Sequence, residues 1–179
     1  MLRPAAAVLC GAILAGCASP GLTRMRNDIA RSVPEASIGE GWSMGFGPLS
    51  MAVARRFASD EAMAEGLDLR DVRAVRVASY PVRGSFDPAR VSTPAAIRRL
   101  ERRGWTVAVR AREADSVTWV LYRHREDRIT DLLTASLEAE ELTLVHVSGA
   151  LERVIRGVVA QHGIPGLLGN RATAMADGE

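Results

Sequence analysis

The sequence predicts an α+β fold: a single two-layer domain, mostly antiparallel sheet, with helices packed on one face. Four consecutive segments between residues 105 and 149 alternate apolar and polar side chains, which is the spacing of a half-buried strand. Short polar turns separate the four segments, and such turns join antiparallel neighbours. The flanking segments repeat apolar residues at helical spacing, which predicts the helices that cover the sheet.

The four strands are predicted from the segments TVAVRAR, SVTWVLYRH, ITDLLTASL and TLVHVSG. The first is expected to alternate regularly, with apolar residues on one face and arginines on the other. The apolar set is Trp105, Val107, Val109 and Ala111, and the arginines are Arg110 and Arg112.

Before this sheet, residues 36–47 suit a strand weakened by glycines, and residues 71–82 suit a strand rich in valine. Pro48 predicts a helix start, with Leu49, Val53 and Phe57 on one face. A second short helix is expected to end at Gly66, and a third follows a hydroxyl cap in Ser92-Thr93-Pro94 and ends at Gly104. After the sheet, a last helix is predicted from the stripe Leu151, Val154, Ile155, Val158 and Val159.

The amino-acid composition favours a folded domain and excludes some functions. The chain has 179 residues and 47 % hydrophobic residues, which favours one folded domain over a disordered chain. A formal net charge of +2 makes the molecule no polycation, so no nucleic-acid partner is predicted. Every basic residue is arginine, which excludes a lysine-based mechanism.

The N-terminal sequence predicts where in the cell the protein is located. Residues 1–16 have a charged head and a short apolar body, the pattern of a secretory signal peptide, and are too short to span a bilayer. Leu14-Ala15-Gly16-Cys17 resembles a bacterial lipobox, which implies cleavage before Cys17, lipidation of its thiol and anchoring to the membrane. Ala18 then favours an outer-membrane lipoprotein facing the periplasm. The alternative is an ordinary signal peptide or an uncleaved apolar segment.

Residues 17–35 are interpreted as a tether followed by a short helix. Its apolar stripe is Leu22, Met25, Ile29 and Val33. The stripe either packs on the domain, belongs to a partly ordered spacer, or rests on lipid headgroups. The α+β domain is expected over residues 36–160, and residues 161–179 are expected to form a flexible tail.

Neither a cofactor nor a metal site is predicted. Cys10 leaves with the leader and Cys17 is lipidated, so the domain keeps no thiol. His124, His146 and His162 lie on different segments without ligand spacing, and His146 is interpreted as a hydrogen-bonded sheet histidine. Nucleophile-elbow and phosphate-loop motifs are absent from the sequence, so no catalytic residue is assigned.

The order of these patterns resembles the DUF4252 family of small bacterial envelope domains. The resemblance rests on a valine-rich strand ending in Tyr80, a short helix, Gly104-Trp105 opening a strand, two hairpins, and Ser148-Gly149 closing the last strand before a helix. It covers roughly residues 37–159. It implies an α+β sheet with helices on one side, often behind a lipoprotein leader, and carries over no catalytic residue.

One candidate binding surface follows from the strand pattern. Arg76, Arg110, Arg112 and Tyr122 are predicted to share the sheet face that the helices leave open. Such a face would bind an anionic ligand or the acidic strand of an envelope partner. The alternative is a solvated polar face. The sequence therefore favours a lipid-anchored, non-catalytic interaction or sensing module, with a small envelope hydrolase as the second hypothesis.

Overall fold

The structure, a computed structural model, describes residues 20–57, 71–126 and 128–152. The predicted signal peptide, the lipidation site Cys17, the short helix before Gly66, the last helix beyond Glu152 and the tail lie outside the described residues.

Within the described residues, three α-helices flank seven strands. The helices are α1 (Pro20–Ala30), α2 (Pro48–Phe57) and α3 (Ala95–Glu101), with a 3-10 turn at Pro88–Arg90 before α3. The strands are β1 (Ala36–Ile38), β2 (Trp42–Phe46), β3 (Val72–Gly84), β4 (Trp105–Arg112), β5 (Val117–Arg125), β6 (Arg128–Leu137) and β7 (Glu141–Gly149).

The strands form one curled antiparallel sheet in the shape of a half-barrel. The order across it is β1-β3-β7-β6-β5-β4, and β2 also pairs with β3. Because β7 takes one edge of β3, the two short strands share the other edge, β2 against residues 75–79 and β1 against residues 82–84. The antiparallel sheet predicted from the alternation is therefore confirmed, and the glycine-weakened segment is two strands rather than one.

The main core lies on one face of the sheet, which we call the inner face. In the cross-strand register, Leu144 stands beside Ala78 and Ala135, and Ala135 stands beside Trp119. The two alanines leave room for the indole, which is fully buried. Helices α1 and α3 bury their apolar stripes in the same cluster, through Leu22, Met25 and Ile29 of α1 and Ala96 and Ile97 of α3. The stripe of α1 thus packs on the domain instead of resting on a lipid surface.

Strand β4 departs from its predicted alternation. Val107 pairs with Leu121 and Val109 with Val120, so Ala108 is an extra residue without a partner. This β-bulge reverses the side-chain direction for the rest of the strand. Trp105 and Val107 therefore share the inner face with Arg110 and Arg112, whereas Val109 and Ala111 turn to the opposite, outer face. The prediction of one apolar and one arginine face on β4 was wrong.

A second, smaller core lies on the outer face. Met51 of α2, Val72 and Leu151 are buried together, against side chains from β3, β6 and β7. Helix α2 thus contacts the outer face, and the expectation that every helix packs on one face does not hold for it. Its orientation also differs from the prediction, because Leu49 is 86 % exposed whereas Met51 is 5 % exposed.

The two ends of helix α3 compare differently with the sequence prediction: the start differs from it and the end agrees with it. Its N-cap is Pro94, without a side-chain hydrogen bond, so the predicted hydroxyl cap does not form. The carbonyl oxygen of Thr93 instead accepts a hydrogen bond from the guanidinium of Arg98. At the other end, Gly104 has φ of +80°, a conformation that glycine adopts without strain.

Candidate binding site

A pocket opens between the two inner-face helices and the sheet. Its cavity measures about 200 Å³. Side chains from α1, α3, β4, β6 and β7 line it, namely Leu22, Arg24, Met25, Ala96, Arg99, Leu100, Arg103, Trp105, Leu133 and His146. Because these side chains come from both the helices and the sheet, the pocket exists only when the helices are docked on the sheet.

Three rim residues of this pocket are arginines. Arg24 comes from α1, Arg99 from α3, and Arg103 from the turn after α3. Arg24 and Arg103 are exposed, and Arg99 is half-buried. Three cations around a largely apolar cavity make the mouth attractive to anions.

A charged network forms the wall of the pocket behind Trp105. Asp131 accepts hydrogen bonds from Arg123 Nε at 3.0 Å and Nη2 at 2.7 Å, and from Thr130 Oγ1 at 2.9 Å. His146 Nε2 lies 3.3 Å from Asp131 Oδ1. The Arg123 guanidinium also stacks over the Trp105 ring at 5.3 Å, and the ring of His146 lies 5.9 Å from that indole. The network fixes the two aromatic rings that face the cavity.

The network holds its two titratable groups in defined states. Burial raises the pKa of Asp131, but hydrogen bonds from Arg123 and Thr130 lower it by more, so the carboxylate is ionised near neutral pH. Burial lowers the pKa of His146 and outweighs the opposing bond to Asp131. The imidazole is therefore neutral near pH 7. Because an ionised carboxylate only accepts, Nε2 carries the proton and donates to Asp131.

Acid is expected to destabilise the protein through His146. In the unfolded chain this histidine takes up a proton near pH 6.5, whereas the folded chain resists protonation until a lower pH. The unfolded state then binds more protons in that window, so the free energy of unfolding falls as the pH drops below about 6.5. Urea unfolding at pH 7.5, 6.5 and 5.5 should show a shallower decline for His146→Gln. Equal declines in the wild type and the variant would exclude this role.

A second buried carboxylate ties the two helices together. The side chain of Asp28 on α1 is fully buried and pairs with Arg31 on one oxygen and Arg99 of α3 on the other. Arg99 lines the pocket, so this bridge sets the position of one rim cation. A charge-assisted contact of this kind fixes geometry as well as adding stability.

Removing this bridge is expected to loosen α1. Asp28→Ala should lower the free energy of unfolding by about 2–3 kcal/mol, since the two arginines lose a buried partner yet still reach water. Asn27→Ala, an exposed change on the same helix, should stay within about 0.5 kcal/mol. Urea unfolding of both variants measures the difference, and equal losses would show that the bridge adds nothing.

The strand register separates the four residues of the predicted Arg–Tyr surface. Arg76 pairs with His146 and Arg110 with Trp119, which places both on the inner face. Arg112 lies there too and donates to the carbonyl oxygen of Val91 at 3.0 Å. Tyr122 lies on the outer face, where its ring meets His124 edge-on at 4.9 Å. The three arginines share the inner face, on which α1 and α3 pack, whereas Tyr122 lies on the outer face; the four therefore do not form one open surface.

The sequence held a signal for part of the site. Asp131 occupies an inward position in the apolar series Leu133, Ala135 and Leu137, and Asp28 stands beside Ile29 in the stripe of α1. A charged residue at a core position needs a partner, so each indicated a buried ion pair. The identity of the partners, Arg123 and Arg99, depends on tertiary packing and had no local signal.

The outer face offers a different kind of surface. Strand β2 and the start of α2 expose large apolar side chains there, namely Trp42, Met44, Phe46 and Leu49.

In the part of the chain that the structure describes, no helix is both long enough and apolar enough to cross a bilayer. The described residues also contain no group of three His, Cys, Asp or Glu side chains arranged to hold a metal ion.

The inner-face arrangement is suited to binding an anion beside an apolar group, with Trp105 and His146 as fixed walls. It supplies a His–Asp pair, yet Asp131 is occupied by Arg123, and no hydroxyl of the described residues donates to His146. In comparisons with known proteins, no family model, no curated protein and no solved structure matches the chain.

Proposed function

We propose that this protein is a lipid-anchored protein of the bacterial cell envelope whose folded part is a non-catalytic binding module. The observation that carries the binding function is the pocket, where a rim of Arg24, Arg99 and Arg103 surrounds an apolar cavity between helices and sheet. Sites of this composition bind small molecules by burying an apolar body and fixing a charged group. In this proposal α1 and α3 form one layer and the sheet the other, supported by their shared core.

The membrane anchor of the proposal is Cys17, on an outer-membrane lipoprotein facing the periplasm. Helix α1 begins at Pro20, so at most about 11 Å of chain separates the anchor from the helix. Arg24 follows within the next turn and lines the pocket. An anchored chain would therefore hold the pocket close to the lipid surface. Membership of the DUF4252 family belongs to the same proposal, supported by the leader and the strand pattern.

Lipidation is tested by metabolic labelling with palmitate. The wild-type chain should incorporate the label and sediment with membranes, because its thiol receives the acyl chains. Cys17→Ser should remain unlabelled. Cys10→Ser is the matched control, since Cys10 lies in the leader and should leave labelling intact. Labelling that survives Cys17→Ser would refute the anchor.

The binding function is tested by photo-crosslinking in the intact envelope. A photoreactive phenylalanine at Leu100, on the pocket wall, should capture a ligand or partner. The same group at Leu49, exposed on the outer face, is the matched control and should capture less. Capture at position 49 alone would move the binding surface to the outer face and contradict the proposal.

A second candidate function is a small hydrolase, favoured by the contact between His146 and Asp131. A neutral histidine held by a carboxylate is the usual general base of such enzymes. Screening the full chain against generic esters and peptides separates the two functions. Turnover that disappears in His146→Gln would establish the hydrolase, whereas the binding module predicts no turnover above that of the variant.

A further inference from the structure

The pocket joins an apolar interior to a cationic mouth. Its interior is lined by Leu22, Met25, Leu100, Trp105 and Leu133. The arginines at the mouth come from α1, from α3 and from the turn after α3. A ligand that satisfies both regions must be amphiphilic, with a charged group at the mouth and an apolar body inside.

Two of the mouth arginines have no counter-ion among the described residues. Asp28 pairs with Arg99, whereas no carboxylate of the described residues lies within 4.0 Å of the Arg24 or Arg103 guanidinium. Both side chains are exposed, so they reach an incoming ligand without first breaking an ion pair. Planar guanidinium groups bind carboxylates through paired hydrogen bonds, which suits an anionic head at this position.

Among the described residues, the charged groups beside the pocket interior are paired with one another. Asp131 is neutralised by Arg123, and the neutral imidazole of His146 donates to the same carboxylate. The two rings beside the cavity therefore present apolar or weakly polar surface to a ligand. A charged head has a partner only at the mouth, and the body of the ligand occupies the interior.

The volume of the cavity limits the size of the ligand. An enclosed site of about 150 Å³ accommodates a benzene molecule, whereas pockets for drug-sized ligands measure about 300–1,000 Å³. At about 200 Å³, this cavity matches an apolar body of roughly eight non-hydrogen atoms. A complete phospholipid or a peptide strand is too large to be enclosed in it.

We propose that the pocket binds a small anionic amphiphile, with a carboxylate head held by Arg24 and Arg103 and an apolar body of about eight carbons against Trp105 and Leu133. The assignment rests on the proposed binding function and names its class of ligand. A medium-chain fatty acid and a small aromatic acid share this chemistry. They differ in the shape of the body, which the experiment separates.

The probes are octanoate and phenylacetate, each compared with its neutral amide. Isothermal titration of the full chain carrying Cys17→Ser, which lacks the lipidated thiol, measures each dissociation constant. At least one acid should bind saturably with a constant on the order of 0.1 mM, and its amide at least about tenfold more weakly. Preference for octanoate indicates an acyl body, and preference for phenylacetate an aromatic one. Equal affinity for acid and amide, or no saturable binding of any probe, would overturn the assignment.

Variants at the mouth locate the bound head. Arg24→Gln and Arg103→Gln should each weaken binding of the preferred acid about tenfold, and the double variant about a hundredfold. Arg102→Gln is the matched control, because this exposed neighbour of Arg103 does not line the pocket. An unchanged constant in the double variant would contradict the proposed site. If the acids fail while crosslinking at position 100 succeeds, the ligand class is wrong and the binding function stands; if both fail, both are wrong.

Discussion

Replacing Asp131 with alanine is expected to lower the free energy of unfolding by about 3–5 kcal/mol, since it leaves a half-buried arginine without its partner. The carboxylate accepts two hydrogen bonds from Arg123 and one from Thr130, and contacts His146. The loss should appear in urea unfolding at pH 7. It should shrink in strong acid, below about pH 3.8, because the pKa of Asp131 is lowered and the wild type loses the same contribution as that carboxylate is protonated.

The control for this substitution is Asp115→Ala. Asp115 lies exposed in the turn between β4 and β5, so its removal should change the free energy of unfolding by no more than about 0.5 kcal/mol. An Asp131→Ala protein as stable as this control at pH 7 would show that the network does not stabilise the fold. It would also remove the physical reason for the fixed positions of Trp105 and His146.

Gly149→Ala is expected to destabilise the protein by about 3 kcal/mol or more, because the backbone there admits no side chain. Gly149 has φ of +151°, which L residues rarely adopt. A β-carbon at this position would lie 2.0 Å from the carbonyl oxygen of Asp71 and 2.9 Å from the amide nitrogen of Arg73. Strand β3 would have to move away from the end of β7. Thermal or urea unfolding measures the loss.

Gly47→Ala serves as the matched control for Gly149→Ala. Apart from its chain neighbours, no atom of the described residues lies within 4 Å of a β-carbon at position 47, so the free energy of unfolding should change by less than about 0.5 kcal/mol. If both alanine variants were equally stable, the close approach of β3 to Gly149 would not exist in solution.

The strands and most helix positions could be predicted because they follow from local periodicity. In β7, the alternation that begins with Leu142 and Leu144 predicts an inward face without knowledge of the neighbouring strands. The structure buries both side chains. Helix α1 was predicted from the same kind of pattern, and its stripe through Ile29 is buried. Local periodicity fails to predict which face a side chain occupies where one extra residue reverses the alternation.

The single extra residue Ala108 shows that failure. Nothing in TVAVRAR distinguishes a bulged strand from a regular one, since both alternate valine and alanine with arginine. A bulge in β4 depends on the register of its pairing with β5, and that register cannot be derived from the sequence of β4. The bulge places Arg110 and Arg112 on the inner face with Arg76, whereas Tyr122 lies on the outer face, so the predicted open Arg–Tyr surface does not form.

The pocket could not be predicted for a related reason. Its rim joins Arg24 to Arg99 and Arg103, residues more than seventy positions apart that meet only because α1 docks beside α3. Charged residues on a helix surface usually indicate a solvated face, and the sequence alone does not distinguish Arg99 from its exposed neighbours. The structure shows that one of them, Arg99, pairs with the buried Asp28 of α1.

The pocket is the part of the molecule on which the functional account depends. Native mass spectrometry of the full chain in an excess of octanoate or phenylacetate measures whether the pocket carries a ligand. The account predicts that part of the wild-type protein carries the added mass of one small organic acid, and that the Arg24→Gln, Arg103→Gln double variant carries none. Equal added mass on both proteins, or none on the wild type, would contradict it.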